Sequence, residues 1–306
     1  MTTPSQQNQT RPVKSVLLST ATVPHVRNPW LDRRPLHYAH QGGAGEAPSS
    51  TLRAMRRAVS QFGAQALELD VHRTADGHLV VCHDSTVDRT TNASGEVHRL
   101  SLAELRQLDP AFWWAPGFDA RNDLDPDAYP LRGLFPVDES LGIATLDEVL
   151  TEFPSVFLNL DIKEVGPVRY ETQLADRLRA YGRSADVIVA SFHDDALRTF
   201  NDYAPEIHVS LGPTDTFAFY AAVHDGAPMP PWSPSQVALQ VPASFGDIDV
   251  VTNDFVEGAH AVGLAVHVWT IDAEAEMHRL LDLRVDGVMT DFPSRLASVL
   301  AARAEH

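Results

Sequence analysis

The most constraining feature of this sequence is the alternation of short apolar, β-branched runs with helical patterns from residue 35 onward. Such alternation is typical of βα units, which build a parallel sheet and cover its faces with helices. At 306 residues the chain has an ordinary length for one α/β barrel. The pattern therefore predicts one large core.

Nine apolar runs qualify as strands, one more than a closed eight-stranded barrel uses. The run at 79–83 follows its predecessor after the short turn at 74–77, whereas a parallel neighbour needs a crossover of about a dozen residues. We therefore assign this run to a β-hairpin after strand 2, and we predict an α/β fold, a (β/α)8 TIM barrel. The candidate strands are 36–40, 66–71, 79–83, 156–163, 187–191, 207–211, 238–241, 265–270 and 287–291.

Helical patterns lie between these strands, and two of them begin with a capping-box signature, Ser101 with Glu104 and Thr145 with Glu148. The predicted helices are 50–62, 102–108, 146–152, 171–181, 195–203, 254–262, 273–281 and 293–302.

Two segments interrupt the alternation of strands and helices and are rich in Pro, Gly and aromatic residues. Residues 109–142 form a long insertion before barrel strand 3, which is usually a functional loop or lid, and residues 212–234 have a similar character. We expect residues 1–34 to be a partly disordered N-terminal tail, because the first dozen are polar and rich in Gln, Thr and Pro. Residues 35–303 then form a single barrel domain.

A formal net charge of -17 repels polyanions, which argues against nucleic acid and anionic membrane surfaces as partners. Cys82 is the only cysteine, so the chain has no intrachain disulfide and no cysteine-zinc site. No window reaches the roughly 18 consecutive apolar residues of a membrane span. We expect a cytoplasmic protein, with secretion as the alternative; the sequence indicates no oligomeric state.

Acidic side chains share a face on two of the predicted strands. Glu68 and Asp70 are two residues apart, so both point to one side, and a carboxylate pair at the end of a barrel strand favours an oxygen-ligated cation, Mg²⁺ or Ca²⁺. The alternative is a pair of solvated acids on an edge strand. Asp161 and Lys163 share a face in the same way and suggest a third metal ligand and a phosphate contact, or else an internal ion pair.

Histidines occupy two positions where a barrel keeps its catalytic groups. His40 ends the first strand and His83 ends the hairpin strand, and the two could serve as general base and general acid across one phosphodiester. Each could equally be a structural histidine. Trp269 ends the seventh barrel strand, where an indole could line the pocket against a carbon chain or simply pack in the core.

In chain order these pieces resemble the glycerophosphodiester phosphodiesterase family over about residues 35–300. The resemblance rests on Glu68-Leu69-Asp70-Val71, Thr74-Ala75-Asp76-Gly77, Val80-Val81-Cys82-His83-Asp84, Asp88-Arg89-Thr90-Thr91-Asn92, Gly95, Ser101-Leu102-Ala103-Glu104-Leu105, Asn159-Leu160-Asp161-Ile162-Lys163, Ser191-Phe192, Val268-Trp269-Thr270 and Asp286-Gly287-Val288-Met289-Thr290-Asp291-Phe292-Pro293.

The resemblance implies a barrel enzyme that hydrolyses a small phosphodiester to an alcohol and glycerol 3-phosphate. It assigns acid/base roles to His40 and His83, and it assigns one divalent cation, Mg²⁺ or Ca²⁺, to Glu68, Asp70 and Asp161. Asp161 stands where the family commonly has Glu, a longer acid of the same charge. The nucleophile is either water or the glycerol hydroxyl of the substrate.

Two positions depart from the family pattern. The family His-Arg-Gly is His40-Gln41-Gly42 here, and its Pro-Glu-Asn-Thr is Pro48-Ser49-Ser50-Thr51. Gln41 can still donate hydrogen bonds to phosphate, although without the paired, charged contact of arginine. Glu46 lies three residues before Ser49, and we hypothesise that it supplies the missing acid. Lys163 matches the family directly.

Two other functions remain open at this stage. A phospholipase D-type enzyme acting on lysophospholipids would share this layout, and the paired Trp113-Trp114 of the insertion would favour a lipid chain. A non-catalytic barrel that binds a phosphodiester is suggested by the departures at Gln41 and Ser49, because fold alone does not fix function.

Overall fold

Eight parallel strands close into a barrel in the computed structural model, which describes residues 28–163 and 168–305. In chain order the strands are β1 (Leu36–His40), β2 (Ala66–Arg73), β3 (Leu79–Val81), β4 (Phe157–Ile162), β5 (Val187–Ala190), β6 (His208–Ser210), β7 (Gln236–Pro242), β8 (Ser244–Phe245), β9 (Ile248–Asp249), β10 (Ala265–Trp269) and β11 (Gly287–Thr290). The order around the barrel is β1, β2, β4, β5, β6, β7, β10, β11, and β11 pairs with β1. The predicted (β/α)8 barrel is confirmed.

Helices follow the barrel strands and cover the outside of the sheet. They are α1 (Leu52–Phe62), α2 (Leu102–Leu105), α3 (Leu146–Glu152), α4 (Glu171–Ala180), α5 (Asp194–Tyr203), α6 (Pro213–Asp225), α7 (Asn253–Ala261), α8 (Glu274–Asp282) and α9 (Pro293–Ala304). Both predicted capping boxes are present, with Ser101 and Thr145 each accepting a hydrogen bond from the backbone of the glutamate three residues on. None of the described helices is long and apolar enough to cross a membrane.

The run assigned to a hairpin is an antiparallel neighbour of β2. In β3, Val81 pairs with Val71 and Leu79 pairs with Arg73. The hairpin prediction is therefore confirmed. It brings the residues that follow β3 back to the carboxyl end of β2, which is the end of the barrel where the acidic residues lie.

The prediction of a second long loop at 212–234 is wrong for residues 213–225, although residues 226–234 contain no helix or strand. Residues 213–225 form α6, the barrel helix that follows β6, and Pro213 is its first helical residue. Phe219 is its buried anchor, whereas Phe217 is 73% exposed. Apolar residues thus lie on both the buried and the exposed side of α6, so the sequence lacks the periodic apolar stripe by which helices are recognised.

An apolar floor fills the amino-terminal end of the barrel. It is formed by Leu36, Tyr38, Ala66, Ile188, Val237, Ala238, Ala265 and Met289 together with Trp30, which is fully buried. Trp30 donates a hydrogen bond to His208 Nδ1 (3.0 Å), and the Asn28 side chain donates to the carbonyls of Val237 and Gly263. Residues 28–34 thus pack against the barrel, ahead of the predicted start at Pro35. Residues 1–27, most of the predicted tail, lie outside the described residues.

A polar layer lies above this floor. Gln240 donates to Asn159 Oδ1 (2.8 Å), and His267 Nδ1 lies 3.4 Å from both Tyr38 Oη and Gln240 Nε2. Gly287 makes room for this arrangement, because a Cβ there would lie 2.8 Å from the Tyr38 ring and 2.9 Å from the His267 ring. His267, to which the sequence assigned no role, is therefore part of the barrel interior.

The buried histidines make stability depend on pH. Burial lowers the pKa of His267 and of His37 to about 4, below the ordinary value of about 6.5. The folded protein favours the neutral form of each histidine. The stability of the folded protein is therefore fully present above about pH 6.5 and is partly lost as the pH falls toward 4. At pH 5 each histidine is expected to lower the free energy of unfolding by about 2 kcal/mol.

We predict that His267→Gln makes the free energy of unfolding depend less steeply on pH between about 6.5 and 4. The variant should take up fewer protons on unfolding, by up to about one. Chemical denaturation at a series of pH values measures this slope. His278→Gln is the matched control, since His278 is exposed. An unchanged slope in His267→Gln would show that His267 is already protonated in the folded protein.

Candidate active site

His40 is held at the carboxyl end of the barrel by an aspartate from the neighbouring strand. Asp291 directly follows β11, which pairs with β1, and its Oδ1 lies 2.7 Å from His40 Nδ1. The other ring nitrogen, Nε2, lies 3.6 Å from Glu68 Oε2. Burial by itself lowers the pKa of His40, but the negative charges of Glu68, Asp291 and Asp70 outweigh it and raise the pKa to about 9.

His83 has a carboxylate partner of its own. Its Nδ1 lies 2.6 Å from Oδ1 of Asp84, the next residue. Arg89 holds that aspartate through two hydrogen bonds, Nε to Oδ2 (2.6 Å) and Nη2 to Oδ1 (3.1 Å). Burial raises the pKa of Asp84, but the bonds from His83 and Arg89 more than offset this effect and hold the pKa well below its usual range.

The three candidate metal ligands lie together inside the barrel mouth. β2 and β4 are adjacent, so Asp70 and Asp161 are direct neighbours, and Glu68 precedes Asp70 on the same face. All three side chains are buried. Lys163 Nζ lies 3.0 Å from Asp70 Oδ1 and 3.4 Å from Asp161 Oδ2. The ion pair considered from the sequence is therefore present, and it includes an acid from each of two strands.

Three neighbouring buried carboxylates are costly to ionise together, even with Lys163 beside two of them. Burial and the charge of Asp70 raise the pKa of Glu68 to about 8. Burial raises the pKa of Asp161 to about 6, although Lys163 opposes the change. Burial would lower the pKa of Lys163, but the charges of Asp70 and Asp161 raise it above its usual range. Even with Lys163 and a protonated His40 nearby, burial and mutual repulsion keep the pKa values of Glu68 and Asp161 raised, so additional positive charge would favour the ionised forms of these acids.

The fit of these acids to a cation can be judged from their oxygens. Across residues 28–163 and 168–305, no three His, Cys, Asp or Glu side chains are already arranged as a metal-ligand set. However, Asp70 Oδ2 and Asp161 Oδ1 are buried and accept no hydrogen bond from any described residue. Carboxylate oxygens are the donors that hard divalent cations prefer. The donor chemistry therefore fits a divalent cation, and Lys163 contacts two of the three acids.

The loop after β1 is tightly built around the site. Gln41 and Ser50 have left-handed backbones (φ 49° and 61°), and Ser50 N donates to the Gln41 carbonyl (2.8 Å). Gln41 N donates to Glu68 Oε2 (3.2 Å), while its buried side-chain Oε1 accepts no hydrogen bond within the described ranges. Gln41 therefore lies beside the acidic cluster formed by Glu68, Asp70 and Asp161.

Glu46 does not join the acidic cluster. Its Oε1 accepts hydrogen bonds from Ser294 N (3.0 Å) and Ser294 Oγ (2.6 Å), and its Oε2 lies 3.8 Å from Arg57 Nε. Ser294 is the second residue of α9, where backbone N–H groups and the helix dipole favour a carboxylate. The structure thus corrects the sequence hypothesis, because this carboxylate caps a helix.

Two aromatic rings line one side of the mouth. Phe192 follows β5 and packs edge to face against Trp269 at the end of β10, with ring centroids 5.6 Å apart. Phe192 is 59% exposed and its ring centroid lies 5.9 Å from Lys163 Nζ. Trp269 is partly buried and packs against the apolar floor as well as against Phe192, so both interpretations of Trp269 from the sequence stay open. Phe192 extends the apolar surface that Trp269 begins.

The 109–142 insertion packs onto the loop after β1. Trp114 Nε1 donates to the Ala44 carbonyl (3.0 Å) and Gly117 N donates to the Gly45 carbonyl (2.9 Å). Inside the insertion, Arg132 stacks on Tyr129, with its guanidinium carbon 3.8 Å from the ring centroid. The insertion is therefore attached to the catalytic end of the barrel.

The carboxylate partners of His40 and His83 were not predicted from the sequence. Asp84 could have been found, since it directly follows His83. Asp291 could have been found only by pairing the first and last strands, because it lies 251 residues from His40. Arg89 appears in the family motif but has no local signal of its role.

Comparisons with known proteins identify a family and several relatives. The model of the glycerophosphoryl diester phosphodiesterase family matches residues 40–295. The glycerophosphodiester phosphodiesterase of Caldanaerobacter subterraneus subsp. tengcongensis is 30% identical over 276 residues, covering 87% of this chain and 98% of that protein. Lysophospholipase D GDPD1 of Homo sapiens is 24% identical, covering 86% of this chain and 85% of that protein.

Solved structures share the fold. A phosphodiesterase of Oleispira antarctica, in complex with the product sn-glycerol-3-phosphate, superposes with a TM-score of 0.63 at 22% identity. The match covers 87% of this chain and 97% of that protein.

We predict that Glu46→Ala lowers the free energy of unfolding by about 1 kcal/mol, because the amino terminus of α9 loses its carboxylate. The affinity for Mg²⁺ or Ca²⁺ should stay unchanged, as measured by calorimetric titration. Asp161→Asn is the comparison variant and should weaken cation binding on the order of tenfold. Equally weakened cation binding in Glu46→Ala and Asp161→Asn would instead support Glu46 as a metal ligand.

Proposed function

Because this chain belongs to the glycerophosphoryl diester phosphodiesterase family, we propose that it hydrolyses glycerophosphodiesters to an alcohol and glycerol 3-phosphate by two-histidine acid/base catalysis with a divalent cation. The observation that carries this proposal is the pairing of each histidine with its own carboxylate beside the acidic cluster. The phosphodiesterase from Oleispira antarctica binds the same product class.

The two histidines are suited to moving protons. In each, the carboxylate at Nδ1 fixes the ring and favours a proton on Nδ1 when the ring is neutral, which leaves Nε2 to exchange a proton with the reactants. In the proposed reaction one of His40 and His83 takes a proton from the attacking oxygen, which belongs to water or to the glycerol hydroxyl of the substrate. The other protonates the departing alkoxide. Attack by the glycerol hydroxyl would give a cyclic phosphodiester, which a water molecule then opens to glycerol 3-phosphate.

Positive charge at the phosphate comes from Lys163, whose ammonium group stabilises the negative charge that grows as phosphorus becomes five-coordinate. Gln41 adds an uncharged hydrogen-bonding group at the same end of the barrel. Its side chain is buried and its Oε1 has no partner within the described ranges, which supports a role in contacting the ligand.

We assign one divalent cation, Mg²⁺ or Ca²⁺, to Glu68, Asp70 and Asp161. When bound, such a cation polarises a phosphoryl oxygen as a Lewis acid. The unpartnered oxygens of Asp70 and Asp161 support this assignment, as does the pKa of Glu68, which burial and the charge of Asp70 raise and a bound cation would lower.

The first experiment measures glycerol 3-phosphate release from a panel of glycerophosphodiesters with Mg²⁺, with Ca²⁺ or with EDTA. We expect EDTA to abolish release. His40→Ala and His83→Ala should each lower kcat about 100-fold to 10,000-fold, because each removes a proton-transfer group. His278→Ala, which changes an exposed histidine, is the control.

Undiminished turnover in EDTA would show that the reaction needs no divalent cation. Undiminished turnover in His40→Ala or His83→Ala would show that the substituted histidine has no acid/base role. A wild-type protein that releases no glycerol 3-phosphate from any member of the panel would overturn the proposed substrate class.

Lysophospholipids are a second candidate substrate class, favoured by the exposed Phe192 ring beside Trp269 and Lys163. An acyl chain leaving the phosphate site could lie against these rings. Lysophospholipase D GDPD1 of Homo sapiens is a similar protein that carries such an activity in its name.

We predict that Phe192→Ala lowers kcat/KM for a short-chain lysophosphatidylcholine about tenfold, from the lost apolar contact, and affects glycerophosphocholine less. Monomeric substrate at concentrations that do not form micelles keeps the comparison free of interface effects. Tyr203→Ala is the matched control, since Tyr203 is a partly exposed aromatic residue at the opposite end of α5. Equal losses on both substrates would exclude chain recognition at this wall.

A further inference from the structure

A continuous set of charged contacts runs from the insertion to His83. Arg89 holds Asp84 through Nε and Nη2, and its third nitrogen, Nη1, donates to Asp119 Oδ2. Asp119 belongs to the insertion and lies 30 residues beyond Arg89. The order of contacts is therefore Asp119, Arg89, Asp84, His83.

These groups are partly shielded from solvent. The side chains of Arg89, Asp84 and Asp119 are 36%, 28% and 24% exposed, and Asp119 Oδ1 is buried without a hydrogen-bond partner in the described part of the chain. Contacts in such surroundings are screened less than those of fully exposed ion pairs. The arrangement can therefore transmit an electrostatic effect to His83.

Asp119 adds a negative charge to the Arg89–Asp84 pair. Arg89 and Asp84 alone form a neutral pair, in which the guanidinium competes with the imidazole for the carboxylate. With Asp119 included, two carboxylates share one guanidinium, so the three groups have one net negative charge. That charge matches a protonated His83 and leaves Asp84 a stronger partner for it.

We propose that Asp119, Arg89 and Asp84 are positioning residues that hold and electrostatically support His83 in its acid/base role, so that the insertion is part of the catalytic machinery. The proposal rests on the proposed function, because it needs a proton-transferring His83. It assigns to the insertion a task other than covering the mouth or contacting substrate.

The competing explanation is an ordinary structural ion pair that anchors the insertion. The same insertion contains an internal comparison, Arg121 with Asp123, which also form two hydrogen bonds (2.8 and 2.6 Å). Asp123 is exposed, and neither residue of this pair forms a hydrogen bond with His83 or Asp84. Loss of the Asp123 carboxylate therefore reports the cost of disturbing the insertion alone.

The test compares Asp119→Asn with Asp123→Asn by steady-state kinetics on the best glycerophosphodiester. We expect Asp119→Asn to lower kcat about tenfold with KM unchanged, because the lost interaction acts only as His83 becomes charged. Asp119→Glu should restore most of kcat, whereas Asp123→Asn should match the wild type. Arg89→Lys should lower kcat in the same way, because lysine keeps the positive charge but cannot form the same hydrogen bonds to both Asp84 and Asp119.

A double-mutant cycle separates positioning from simple structural damage. If Asp119 acts through His83, Asp119→Asn should cause little further loss in the residual activity of His83→Ala. An equal additional loss in that background would overturn the proposal, as would wild-type kcat in Asp119→Asn or a loss shared with Asp123→Asn. An inactive wild-type protein would instead contradict the proposed function.

Discussion

The acidic cluster at the barrel mouth depends on Lys163. Asp70 and Asp161 lie on adjacent strands in direct register, and without a cation between them two buried carboxylates would repel each other. Lys163 contacts both acids, yet burial and the charge of Asp70 raise the pKa of the third acid, Glu68, to about 8, so Glu68 is mostly protonated near neutral pH. Additional positive charge at the mouth would therefore favour the ionised Glu68, while the apolar floor beneath it supplies packing.

The alternation of residues along parallel strands explains why much of this site could be predicted from sequence. Side chains two apart share a face, and the carboxyl ends of parallel strands meet at one end of a barrel. These two rules bring together Glu68, Asp70, Asp161 and Lys163, and they put His40 beside them. The hairpin prediction also followed from local information, because a four-residue turn is too short for a parallel crossover.

Other features could not be predicted because they depend on contacts between distant parts of the chain. Asp291 reaches His40, and Glu46 reaches Ser294, only because the last βα unit closes the ring against the first. Nothing near Glu46 in sequence distinguishes a metal ligand from a helix cap. The helix α6 was missed for a different reason, since its apolar residues do not form a stripe on one side.

The loop after β1 links the charge state of the site to its backbone. Gln41 and Ser50 both have positive φ values, which are unfavourable for residues other than glycine and persist only where surrounding contacts hold them. One of those contacts is the hydrogen bond from Gln41 N to Glu68 Oε2. A charged Glu68 accepts this bond more strongly than a protonated one. Added positive charge at the acidic cluster would therefore favour the ionised Glu68 and, through it, the loop conformation that holds Gln41 at the site.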